Sequence, residues 1–129
     1  MSSNDCNRSA NSPGSFRREA IRLDPKDADA HIARGGIWDV KGEFDKAVAD
    51  FNEVIRLAPK NATAYIGRGR AWVMKGEFDK AIADFNEVIR LDPKNADAYM
   101  DRGRAWAAKG EQDKAASDYQ QAELLRKGP

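Results

Sequence analysis

With 129 residues, 33% of them charged and 41% hydrophobic, and a formal net charge of +1, the chain has room for one ordinary domain or one short repeat array. The near balance of charge argues against a polybasic nucleic-acid arm or a membrane-surface helix. No apolar run approaches the length of a bilayer span, and Cys6, the only cysteine, allows neither an internal disulfide nor a thiolate cage.

Residues 1–15, "MSSNDCNRSANSPGS", lack the apolar core of a secretory signal and have the Ser/Asn-rich composition of a disordered tail, so a cytoplasmic protein is expected. Residues 16–27 read differently. Their "EAIRLDPKD" (Glu19 to Asp27) nearly duplicates "EVIRLDPKN" (Glu87 to Asn95), which makes them an orphan second helix of a repeat, either an N-terminal cap or the remnant of a longer array. Phe16, Ala20, Ile21 and Leu23 would then offer an apolar edge without its usual cover, and a homodimer is the expected consequence.

Three copies follow, over residues 28–61, 62–95 and 96–129. They carry "RGGIWDVKGEFDKAVADF", "RGRAWVMKGEFDKAIADF" and "RGRAWAAKGEQDKAASDY". Trp38, Trp72 and Trp106 are 34 residues apart (72 − 38 and 106 − 72), a step that marks stacked supersecondary units rather than one globule. Each copy divides at Gly42, Gly76 or Gly110, where glycine can take the left-handed conformation that ends a helix. On either side lie apolar residues at helical spacing, for example Phe44, Ala47, Val48, Phe51, Val54 and Ile55. Pro59 and Pro93 stop the second helix, and Asp27, Asn61 and Asn95 are placed to cap the next first helix. The unit is a helical hairpin.

Two departures between and within copies carry information. Arg34, Arg68 and Arg102 on the first helices are each followed 16 residues later by Asp50, Asp84 and Asp118, which predicts a salt bridge across each hairpin, shielded by the neighbouring tryptophan. Phe44 and Phe78 become Gln112 in the third copy, and Ile55 and Ile89 become Glu123. With Ser117 and Gln121 these form a polar end face, so the array is expected to stop there.

From about Ala28 to about Arg126 the chain resembles the tetratricopeptide repeat (TPR) family, whose unit is a 34-residue helix-turn-helix. The resemblance rests on Tyr65 and Tyr99, with His31 in the same slot, and on Gly35, Gly69 and Gly103, each followed three residues later by a tryptophan. Ala47, Ala81 and Ala115, then Phe51, Phe85 and Tyr119, then Pro59 and Pro93 complete it. It implies an all-α fold, a right-handed superhelix of antiparallel hairpins, in which these glycines, alanines and aromatics are structural.

The resemblance also implies a peptide-binding groove on the concave face. Opposite the glycine and tryptophan of each first helix, helical spacing places Asp29, Ile32, Gly36, Asp39 and Val40. It places Thr63, Ile66, Arg70, Val73 and Met74 likewise in the second copy, and Asp97, Met100, Arg104, Ala107 and Ala108 in the third. An extended peptide or amphipathic helix would lay apolar side chains there while an acidic group meets Arg70 and Arg104. A subclass of the family clamps carboxylates of chaperone tails with lysine, asparagine and arginine. In the corresponding slots stand Ile32, Gly36, Gly67, Asp97 and Asp101, so that partner is not expected.

No catalytic constellation competes with this reading. His31 is the only histidine and occupies a tyrosine slot, and no phosphate loop, paired-histidine metal spacing or nucleophile elbow occurs, so no catalytic residue, metal or cofactor is expected. The "RGR" at 68–70 and 102–104 sits in a charge-balanced chain and is read as structural, not as a nucleic-acid site. The expected function is protein-protein interaction through the groove, with a self-assembling structural array through the N-terminal edge as the alternative.

Overall fold

The computed structural model describes residues 27–128, which form six α-helices and no strands. The helices are α1 (Ala28–Val40), α2 (Phe44–Leu57), α3 (Ala62–Met74), α4 (Phe78–Leu91), α5 (Ala96–Lys109) and α6 (Gln112–Lys127). The tail over residues 1–15 and the orphan helix over 16–27, with Phe16, Ala20, Ile21 and Leu23, lie outside the described residues except for Asp27.

The helix boundaries follow from local chemistry. Asp27, Asn61 and Asn95 are extended, and each accepts a bond from the backbone N–H three residues on, at 3.2, 3.4 and 3.1 Å. That satisfies one of the orphan donors at the start of α1, α3 and α5. At the other end Gly42, Gly76 and Gly110 have φ of 79°, 81° and 91°. The following glutamate N–H turns back to the tryptophan carbonyl, at 2.8 Å for Glu43 to Trp38, and closes the paired bonds of a Schellman motif. Positive φ at these three positions is why glycine recurs there.

The hairpins α1–α2, α3–α4 and α5–α6 stack in chain order. α2 packs on α3 and α4 on α5, while the first helices α1, α3 and α5 also touch one another and the second helices do not. The first helices therefore form the inner, concave row of a TPR-type α-solenoid, with the second helices splayed outside. The core runs as a seam through the stack: Ala47, Phe51, Val54, Ala64 and Ala71 at the first junction, and Ala81, Ile82, Phe85 and Ala105 at the second.

Close backbone approach makes the seam possible. A Cβ on Gly35 would come within 2.8 Å of the Phe51 ring, and one on Gly67, in the next hairpin, within 2.4 Å. Phe51 is thus clasped between two helices that can meet it only without side chains. Gly69 makes the same room for Phe85, and Gly103 for Tyr119. Each fully buried side chain of this kind stabilises the fold by roughly 1.5–3 kcal/mol. Trp38 and Trp72 pack at the edge of the seam with Lys46 and Lys80 lying 4.6 Å over their rings, and Lys114 covers Trp106 at 4.5 Å. Gln112 and Glu123 are exposed at the last face, whereas Phe44, Phe78, Ile55 and Ile89 are partly buried.

The arginine–aspartate bridges form in all three hairpins. Arg34 reaches Asp50 through two bonds of 2.8 and 2.7 Å, Arg68 reaches Asp84 at 2.9 and 2.7 Å, and Arg102 reaches Asp118 at 2.8 and 2.7 Å. The fork geometry and the hydrogen bonds to carboxylate hold each guanidinium above its ordinary pKa. The shield differs from expectation: Tyr65 and Tyr99 lie against Arg68 and Arg102, at 5.7 and 5.4 Å, while the tryptophans are taken by lysines. The tyrosine sits one helical turn before the arginine on the same face. In the first copy His31 Nδ1 stands 3.3 Å from Asp50. Arg68 and Arg102 also donate to Asn52 and Asn86 of the preceding hairpin, at 2.8 and 2.9 Å, so each bridge ties two repeats.

Candidate functional site

The inner row presents a stripe from α1, α3 and α5. Along it, three hairpins that otherwise copy one another differ: the position of Arg70 holds Gly36 in the first copy and Arg104 in the third, and that of Gly67 holds Asp101 in the third. The unrepeated side chains meet. Arg70 Nε donates to Asp101 Oδ2 at 2.7 Å across the α3–α5 junction, and Arg104 Nη1 donates to Asp101 Oδ1 at 3.2 Å one turn along α5. The Asp101 side chain is 6% exposed, the two arginines more than half exposed. A buried carboxylate thus draws two guanidinium groups down onto the groove wall and leaves their remaining donors in water.

Beside this cluster lies a depression of about 270 Å³ lined by Arg70, Val73, Met74, Phe85, Asp101 and Arg104. Its walls are apolar and its rim carries the arginines. The volume is below the roughly 300–1,000 Å³ of small-molecule sites, which suits a side chain or two rather than a whole small ligand. Met74 stands 65% exposed at its edge. A larger depression of about 460 Å³ lies on the outer side of the last hairpin, between Met100, Tyr119, Glu123, Arg126 and Lys127. In the earlier hairpins the corresponding space receives the next first helix, and here its rim is charged.

On the α1 side, Asp39 is half-buried, and its Oδ1 is shut away from solvent without a hydrogen-bond partner. Desolvation pushes its pKa up to about 6, against a smaller opposing pull from the charge of Arg70. Asp39, Arg70, Asp101 and Arg104 therefore form a line of alternating charge across three repeats.

The expected groove residues do not all act together. Arg70, Val73, Met74 and Arg104 meet at the depression, with Asp39 beside Arg70. Ile32 and Val73 lean partly into the core, Ile66 is partly buried, and Met100 belongs to the outer depression. Asp97 is exposed and pairs with Arg126 at 3.2 Å. Asp29 is exposed, and Val40, 90% exposed, lines neither depression. The acidic group expected to meet the arginines is supplied by the chain itself, as Asp101. Its sequence signal was its departure from Gly67 in an otherwise faithful copy.

Among the described residues no group of histidine, cysteine and carboxylate side chains is placed to hold a metal ion, and no helix is long and apolar enough to cross a membrane.

Several solved structures share this architecture. A crystal structure of MamA is 27% identical with a TM-score of 0.81, covering 86% of this chain and 65% of that one, so the chain spans just under two thirds of its length. The TPR domain of Arabidopsis OM64 is 28% identical (TM-score 0.75, covering 79% of this chain and 84% of that one). The second TPR of Spaghetti (RPAP3), solved bound to the HSP90 peptide SRMEEVD, is 25% identical (TM-score 0.73, covering 83% and 98%). No curated protein is similar enough in sequence to count as a relative. The tetratricopeptide repeat model matches at residues 14–62, 40–96 and 75–129. With its capped hairpins, clasped aromatics and inner row of first helices, the chain belongs to the tetratricopeptide repeat family.

Proposed function

We propose that the protein is an interaction module that receives a segment of a partner protein, extended or helical, on its concave face. The observation that carries this reading is the apolar depression between α3 and α5, open to solvent beside an exposed Met74 and rimmed by two arginines. A solvated wall gains nothing from such a surface, whereas a partner side chain would bury it at about 25 cal/mol per Å². A methionine at its edge adapts its shape to the guest. Support also comes from the RPAP3 repeat, which holds a peptide on the same fold. That acidic peptide is a poor model for the ligand here, because Asp101 already engages Arg70 and Arg104 and the slots of the carboxylate clamp hold Ile32, Gly36, Gly67 and Asp97.

The test is affinity capture from lysate with the whole chain, compared with Met74→Glu. Proteins retained by the parent and lost from the variant, at unchanged helix content, are the expected result. Full retention of every captured protein by the variant would remove the groove from consideration.

A further inference from the structure

Resting on the groove reading, the chemistry of its occupant can be narrowed. Three features of the inner row act on it. The depression accepts one or two apolar side chains, since Val73 and Met74 supply its accessible wall over the fully buried Phe85. The arginines at its rim share one resident carboxylate, Asp101, which with Asp39 balances their two charges, so although their remaining donors face water an incoming acid meets a rim with no net positive charge. Asp39 is the opposite case. One of its oxygens is shut away from solvent and accepts no hydrogen bond, the side chain is half-buried, and among the described residues the cation that acts on it is Arg70, whose Nε points at Asp101. A carboxylate held in this way gains more from a new positive charge than a fully hydrated one, because the medium around it screens less.

We propose that the groove takes a protein segment in which an apolar side chain fills the depression between Arg70 and Arg104 while a neighbouring lysine or arginine pairs with Asp39. The hydrophobic side chain gives the segment its anchor, and the basic one fixes its direction, toward α1. This inverts the charge preference that the two arginines suggest on their own. The residues responsible are those that break the repeat: Asp39 stands where the other copies have Val73 and Ala107, and Asp101 where they have Ala33 and Gly67.

The experiment uses short amidated peptides of glycine and serine, each carrying one leucine and one lysine at varied spacing. Two control sets replace lysine by glutamate or leucine by serine. Binding to the full chain is followed by amide chemical shifts. Leucine–lysine peptides should shift amides around Asp39, Arg70 and Met74, both control sets should bind less well, and Asp39→Asn should weaken binding about two- to fivefold. Two results overturn the charge assignment while leaving the groove in place: glutamate peptides binding at least as tightly, or Asp39→Asn without effect. Shifts confined to other faces, or none with any peptide, overturn both the assignment and the groove reading.

Discussion

Removing one side of the Arg68–Asp84 bridge should cost unequal amounts depending on the side removed. The Asp84 side chain is 6% exposed and that of Arg68 23%. Arg68→Met strands a buried carboxylate that has lost both of its guanidinium bonds, a loss of about 3–5 kcal/mol. Asp84→Leu strands a guanidinium that keeps its bond to Asn52 and its place against Tyr65, and whose long stem lets the head turn to water. That loss should be smaller, about 1–2 kcal/mol. The double variant puts two apolar groups where the pair stood and should be destabilised by clearly less than the sum, with a coupling of about 2 kcal/mol. Urea unfolding followed by circular dichroism measures all four corners of the cycle. Constancy of the denaturant slope guards against partial unfolding, to which repeat arrays are prone. Additive losses, or a larger loss for Asp84→Leu than for Arg68→Met, would refute the argument from burial.

Two substitutions of glycine by alanine should act in opposite directions. Gly67→Ala drives a methyl to 2.4 Å from Phe51 and should destabilise by about 1–3 kcal/mol despite better helix propensity, whereas Gly36→Ala meets nothing within 4 Å and should stabilise by about 0.5–1 kcal/mol in the same urea assay. Asp39 should make stability fall as pH rises. Its folded pKa of about 6 lies above the ordinary 3.8, so the native state holds the proton more tightly, and the penalty grows from about pH 4 and is complete above about pH 6. At this half-exposed site solvent reduces the effect to the order of 1 kcal/mol. Asp39→Asn should gain that amount at neutral pH and flatten the profile between pH 4 and 6. An unchanged profile in the variant would place the titration elsewhere.

Much of the fold was legible without coordinates because its determinants are local. Glycines 42, 76 and 110 end helices, Asp27, Asn61 and Asn95 start them, and both effects act within a few residues of chain. The 34-residue period then fixes the stacking, since every hairpin needs the same cover. The arginine–aspartate bridges were legible for a related reason: a fixed separation of 16 residues spans the two arms of one hairpin, whose geometry the turn dictates.

The candidate site depended on the third dimension. Arg70 and Asp101 are 31 residues apart and meet only because the inner helices draw together on the concave side. Nothing in the spacing of "RGR" distinguishes an arginine waiting for an acidic ligand from one already holding Asp101. The desolvation of Asp39 is likewise a property of its surroundings, because an aspartate on an amphipathic helix reads as solvated until the fold shuts one of its oxygens away from solvent. Helix ends and hairpins are settled by contacts near in sequence, whereas the groove's charges are settled by contacts between repeats, which the superhelix alone brings about.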